Sequence, residues 1–158
     1  MDMDPIGFLR TPFTTREGMP IQPCGARGTP GRAELRGDLA PGLQDLEGFS
    51  HLILIYLFHQ SRGFDLRVVP FLDHHAHGVF ATRAPRRPNP IGLSVVRLDR
   101  IEGATLHLLD VDMLDGTPLL DIKPFVPGFD VPVGPVRAGW LEDSSDRAPD
   151  TTSDGRFA

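Results

Sequence analysis

The segment Thr82-Arg83-Ala84-Pro85-Arg86-Arg87-Pro88-Asn89-Pro90-Ile91-Gly92-Leu93-Ser94 concentrates more recognition chemistry than any other part of the sequence. Arg83, Arg86 and Arg87 crowd together, and Pro85, Pro88 and Pro90 hold the backbone extended and stiff. Such a loop can grip phosphates or a carboxylate bidentately with little loss of entropy. Asn89 lies between two prolines, so its backbone is fixed and its amide is aimed. The competing reading is a proline-rich surface turn with solvated arginines, and the length of the segment favours function over it. Should the ligand be an RNA, Arg86, Arg87 and Asn89 are the candidate contacts, with Lys123 as a fourth.

A second concentration is Asp112-Met113-Leu114-Asp115-Gly116-Thr117-Pro118, followed by Asp121 and Lys123. Asp115-Gly116 is a turn signal. One of these aspartates can serve as a general base; equally, Lys123 can simply neutralise one in a structural pair. Asp112 and Asp121 are the candidate catalytic carboxylates. A third cluster is Asp73-His74-His75-Ala76-His77. Its side chains are metal-ligand types, but no distant His or Cys pair supports a site, and no metal is expected. His59-Gln60 closes an apolar run, where a strand end can present ligand contacts. There is no Gly-x-Gly-x-x-Gly after a strand, no phosphate-binding P-loop, no Gly-x-Ser-x-Gly and no His-Glu-x-x-His. A Rossmann-type nucleotide enzyme is therefore not expected.

These groups need a scaffold, and the composition points to an all-β one. The chain has 158 residues, suited to one core, with 40% hydrophobic residues and a net charge of -5. Its 17 glycines and 16 prolines favour short strands joined by turns over long helices. Strands are expected at 6–10, 31–36, 49–58, 65–71, 78–82, 93–101, 105–112 and 118–125, with Glu102-Gly103 closing a hairpin. The 49–58 strand carries apolar residues without alternation and is expected to be buried on both faces. Leu39, Leu43 and Leu46 fall at helical spacing, predicting one or two helical turns. The mainly antiparallel result is a sandwich or a barrel.

A loop over 14–30 is long enough to suggest function. The polar segment 143–158 reads as a disordered tail after a domain covering 1–142. The single cysteine, Cys24, excludes an intrachain disulfide and agrees with a reducing compartment. No apolar run approaches a membrane span, and Met1-Asp2-Met3-Asp4 is unlike a secretory leader, so a cytoplasmic protein is expected. Among the basic residues arginine is nearly exclusive, Lys123 being the one lysine. Overall acidity argues against indiscriminate nucleic-acid binding but allows a local arginine patch for one structured RNA.

Several segments, in this order, resemble one family: Phe49-Ser50-His51-Leu52, Phe58-His59-Gln60, Gly78-Val79-Phe80-Ala81-Thr82-Arg83, Arg87-Pro88-Asn89-Pro90-Ile91-Gly92 and Leu114-Asp115-Gly116-Thr117-Pro118. They are similar to the TsaA-like family, also called TrmO or YaeB-like, across about Pro5 to Trp140. The resemblance implies a small β-barrel with short helical turns, a homodimer, and S-adenosylmethionine bound near the subunit interface. It implies methylation of N6 of threonylcarbamoyladenosine at position 37 of tRNA, with no obligatory metal. Carried over residue by residue, it implies cofactor contacts at Gln22, Pro23, Cys24, Gly25, His59, Gln60, Arg83, Leu93, Asp115, Gly116, Thr117 and Pro118. The sequence departs from the family in two places. It lacks the additional C-terminal domain of some bacterial relatives, and the histidine cluster stands where many members have Arg and Asn before Gly-Val-Phe. Trp140 fits either an interface anchor or a cap on its own subunit.

Overall fold

Strand pairing alone determines which loops meet. In the computed structural model, which describes residues 3–157, the strands are β1 (Gly7–Arg10), β2 (Pro30–Leu35), β3 (His51–Leu57), β4 (Arg67–Val68), β5 (His77–Gly78), β6 (Ile91–Glu102), β7 (Thr105–Leu109) and β8 (Thr117–Pro124). Six of them close an antiparallel barrel in the order β1-β2-β7-β6-β3-β8, while β4 and β5 pair separately. Registers such as Leu9 with Thr117, Leu57 with Ile91 and Pro30 with Leu109 set one rim of the barrel. The long connections 11–29, 58–90 and 110–116 all emerge at that rim. The opposite rim carries 36–50 and the tight β6–β7 hairpin, where Gly103 takes φ 61°.

The barrel is filled by inward residues of every strand, including Leu9, Ala33, Leu52, Leu54, Val96, Leu106, Leu108 and Leu119. Side chains alternate across a strand, and β3 obeys this: Leu52, Leu54 and Tyr56 are buried, while Ile53, Ile55 and Leu57 face outward and are half-buried. Burial of this strand on both faces, expected from its unbroken apolar composition, is therefore corrected. Its second face is the outer wall of a barrel, which no layer of this chain covers.

Two further expectations change. The strands expected at 65–71 and 78–82 shrink to β4 and β5, and residues 79–81 turn instead as a short 3-10 element. The leucines at helical spacing sit in 3-10 turns, Gly37–Leu43 and Leu46–Gly48, of which only Leu43 is fully buried. Pro41 and the left-handed Asp45, at φ 66°, prevent a continuous helix there.

Residues 143–157 do not dangle. β8 ends at the rim opposite the long loops, since the Phe125 amide donates to the His51 carbonyl. The chain then passes α1 (Pro127–Asp130) and returns along the outside to Trp140. From there it wraps the loop-bearing rim. The Gly18 amide donates to the Ser153 carbonyl and the Ser153 amide to that of Met19. Arg156 donates to the Pro70 carbonyl at 2.7 Å, and the Phe157 ring meets that of Phe71 edge-on at 5.1 Å. Composition alone missed this because most of the hydrogen bonds that anchor the segment join it to backbone groups of distant loops.

Candidate active site

The loop-bearing rim surrounds a cavity of about 390 Å³, within the range usual for small-molecule sites. Four stretches of chain meet around it. The 14–30 loop contributes Arg16, Met19, Pro20, Ile21 and Gln22; the end of β3 contributes Tyr56, Phe58, His59 and Gln60. The arginine loop contributes Thr82, Arg83, Ala84 and Pro85, and the β7–β8 connection contributes Asp112, Met113 and Leu114, with Thr117 beyond it. The C-terminal segment closes the ring with Trp140, Leu141, Ala148, Ser153 and Phe157 among others. Trp140 is fixed by its indole N–H donating to the Ala81 carbonyl at 2.8 Å and by stacking on His77, with centroids 4.4 Å apart. It therefore caps its own subunit.

A chain of polar side chains runs into the cavity from the barrel. Ser94 Oγ donates to Asp112 Oδ1 at 2.7 Å. With that proton committed, the 3.0 Å contact between Tyr56 and Ser94 is a bond in which the phenol donates. Burial, with Asp112 nearby, pushes the Tyr56 hydroxyl well above its usual range, so it stays protonated. Burial also pushes the Asp112 carboxyl up to about 6, against the opposing effect of the Ser94 bond. A carboxylate poised there is ionised at neutral pH and readily takes a proton. The geometry depends on Gly92: a Cβ at this position would stand 2.3 Å from the Tyr56 ring. Burial lowers the basicity of the His59 imidazole, which lies 3.4 Å from Thr117 Oγ1.

The sequence candidates divide around this cavity. Gln22, His59, Gln60, Arg83, Thr117 and Asp112 line it, and Arg83 donates to Gln22 Oε1 at 2.9 Å. Pro23, Cys24 and Gly25 form a 3-10 turn behind the wall, where the C-terminal segment packs so closely that a Cβ on Gly25 would lie 3.0 Å from the Pro149 carbonyl oxygen. Asp115, Gly116 and Pro118 build the turn beside the site. Asp115 Oδ1 accepts the Thr11 amide at 3.0 Å, and Gly116 takes φ 73°. Pro118 pairs with Phe8 on the outer wall. Leu93 also lies on the outer wall, 48% exposed, opposite Ile55. Asp121 faces outward and is ion-paired with Lys123 at 2.8 Å, which removes both from the cavity.

The arginine loop is also redistributed. Arg86 is paired with Asp65 at 3.1 Å, and Arg87 donates to the Thr82 and Ala84 carbonyls. These contacts brace the loop's shape; Asn89 is exposed. In the histidine cluster, Asp73 Oδ2 binds His77 Nε2 at 2.7 Å and Oδ1 binds His75 Nδ1 at 3.1 Å. These bonds hold the Asp73 carboxyl far below the usual range. Among the described residues no group of three or more His, Cys, Asp or Glu is arranged to hold a metal ion. None of their helices is long and apolar enough to cross a membrane.

Sequence reasoning did not single out Tyr56 or Ser94. A hydroxyl at an inward position of an otherwise apolar strand was the available signal, but assigning it needed the β3–β6 register.

Residues 8–131 match the family described as tRNA-methyltransferase O N-terminal domain. A probable S-adenosyl-L-methionine-binding protein of Pyrococcus abyssi is 51% identical over 97% of this chain and 83% of its own length. The human tRNA (adenine(37)-N6)-methyltransferase is 37% identical over 82% of this chain but only 31% of its own length. A crystal structure of TrmO from Pseudomonas aeruginosa superposes with a TM-score of 0.74 at 41% identity, covering 89% of this chain and 62% of that one. The chain thus spans less than two thirds of that solved protein and about a third of the human one.

Proposed function

The chain belongs to the tRNA-methyltransferase O family, and from that premise we propose that it transfers a methyl group from S-adenosylmethionine to N6 of threonylcarbamoyladenosine at position 37 of tRNA, in the cytoplasm. The observation that carries this reading is the placement of Asp112 in the cavity to which the family motifs contribute.

The lining fits the cofactor chemically. Met19, Ile21, Phe58, Phe71 and Trp140 suit an adenine ring, and Arg16 and Arg83 suit an amino-acid carboxylate. When bound, the cofactor supplies a methyl group already activated by its positively charged sulfur. The chain's task is then to align and dry the acceptor nitrogen, an orientation effect worth roughly 7–11 kcal/mol. The acceptor is a ureido-substituted nitrogen that must lose a proton as it gains the methyl. Asp112 takes that proton on its carboxylate, while Tyr56 and Ser94 orient it. Incubating the protein with methyl-labelled cofactor and tRNA that carries threonylcarbamoyladenosine should put label into position 37. Label appearing equally in tRNA lacking that modification would reject the substrate assignment.

The functional unit is a homodimer. Ile53, Ile55, Leu57, Ile91, Leu93 and Val95 form a continuous apolar patch across the β3–β6 ladder on the outer wall. A single subunit gains nothing by exposing them, and a second copy covers them. Sedimentation at micromolar concentration is expected to report a dimer, and Leu93→Asp a monomer. A wild-type protein sedimenting as a monomer would refute this.

A further inference from the structure

The chain carries a net charge of -5, and seven of its 15 arginines form ion pairs: Arg10, Arg32, Arg36, Arg86, Arg97, Arg100 and Arg156. Of the eight without a carboxylate partner among the described residues, Arg62 and Arg67 are both exposed and stand on one short segment around β4. They bracket Phe64, 53% exposed, and Leu66, 63% exposed, while Phe80, 76% exposed, stands on the 3-10 turn that follows β5. The Val79 amide donates to the Leu66 carbonyl at 3.0 Å and Arg67 pairs with Gly78, so these residues lie side by side on one flap. The Arg86–Asp65 pair fastens this flap to the arginine loop. The flap is continuous with the cavity rim: Ser61 and Thr82, at its two ends, line the cavity, and the Ala81 carbonyl holds Trp140.

Exposed aromatic faces interleaved with unpaired arginines suit unstacked nucleotides, whose bases stack on rings and whose phosphates meet guanidinium groups. We propose that the β4–β5 flap is the surface that grips a single-stranded RNA loop beside the cavity, Phe80 stacking on a base and Arg62 and Arg67 meeting phosphates. This rests on the proposed tRNA substrate and moves the phosphate contacts away from Arg86 and Arg87, which the fold uses internally. An RNA loop is favoured over a protein partner because the patch is locally cationic on an acidic chain.

The test is a binding titration of the full chain with an anticodon stem-loop RNA over a range of salt, for wild type, Phe80→Ala, Phe80→Tyr and the Arg62→Gln/Arg67→Gln double variant. Phe80→Ala should weaken binding about five- to one-hundred-fold, with Phe80→Tyr restoring it. The double variant should lower the log–log salt slope by about 1.4, since each single-strand phosphate contact contributes roughly 0.7. Cofactor affinity, read by calorimetry, and sedimentation should be unchanged in all three. Wild-type affinity and slope in the variants would overturn the assignment, as would a loss of dimer with RNA binding intact, which would make the flap an interface between copies. A wild type that binds no RNA overturns it as well. A wild type that binds the stem-loop with the expected variant effects but transfers no methyl group would leave the flap standing and remove the proposed function.

Discussion

Replacing Asp112 with Asn is expected to lower methyl transfer by about 10²–10⁴-fold, the range for loss of a positioned general base, while raising stability at pH 7. Both effects come from one environment. Burial pushes the Asp112 carboxyl up to about 6, so the folded state binds a proton more tightly than the unfolded state does. Stability from this group is therefore fully present below the ordinary carboxylate range. It is lost as pH rises through the window from about 4 to 6, and the loss persists above it. At about 1.36 kcal/mol per pKa unit, the cost at neutral pH is on the order of 3 kcal/mol. Asn keeps an oxygen to accept the Ser94 hydroxyl and carries no charge, so Asp112→Asn should unfold at a higher temperature than wild type at pH 7 and at a similar one at pH 4.

The activity profile carries the same signature. Wild-type kcat/KM should rise with pH to a plateau with a midpoint near 6, because only ionised Asp112 accepts the proton. Ser94→Ala removes the one side-chain bond that favours the carboxylate, so the midpoint should move upward. A merely structural Ser94 would lower activity without moving it. An Asp112→Asn protein that keeps more than a third of wild-type activity would eliminate the carboxylate as proton acceptor.

The antiparallel strands were legible in the sequence because their signals are local, while the choice of a barrel over a sandwich came from the family resemblance. Glycine and proline punctuate the strands, Glu102-Gly103 marks the hairpin, and Asp115-Gly116 marks the turn that pins β8 to the end of β1. Six of the residues singled out in the sequence, Gln22, His59, Gln60, Arg83, Asp112 and Thr117, line the cavity at one rim. The rest depends on facts that no local pattern holds. Leu93 and Asp121 stand outside the cavity lining because a strand's side chains alternate between the barrel's interior and its outer wall, and composition does not say which parity points inward. The internal partners of Arg86 and Arg87, Asp65 and the carbonyls of Thr82 and Ala84, were not legible because they are fixed by loop conformation. Tyr56 and Ser94 gain their meaning only from register, which places Leu54 opposite Ser94 and Tyr56 opposite the space Gly92 leaves free.

Deleting residues 142–158 is expected to leave the barrel folded but to weaken S-adenosylmethionine binding about tenfold or more. Folding should survive because no residue of that segment belongs to the core cluster, whose buried members run from Leu9 to Leu119. Binding should suffer because Ser145, Ala148, Ser153, Asp154 and Phe157 form one wall of the cavity, and a cavity open on that side exposes Met19 and Phe71 to water. The segment is latched at two points near its end. Ser153 pairs with the 14–30 loop through backbone bonds at one point, and Arg156 and Phe157 grip Pro70 and Phe71 at another. Arg156→Gln combined with Phe157→Ala should undo the second latch only, giving a smaller loss of affinity in the same direction. Calorimetric titration with the cofactor, alongside thermal unfolding, separates the possibilities. A truncated protein that unfolds cooperatively and binds the cofactor as tightly as wild type would mean the segment rests against the rim without shaping the site. Graded weakening across the two variants, with the barrel's unfolding preserved, would make residues 142–157 a working wall of the cavity, although their composition reads as a solvated tail.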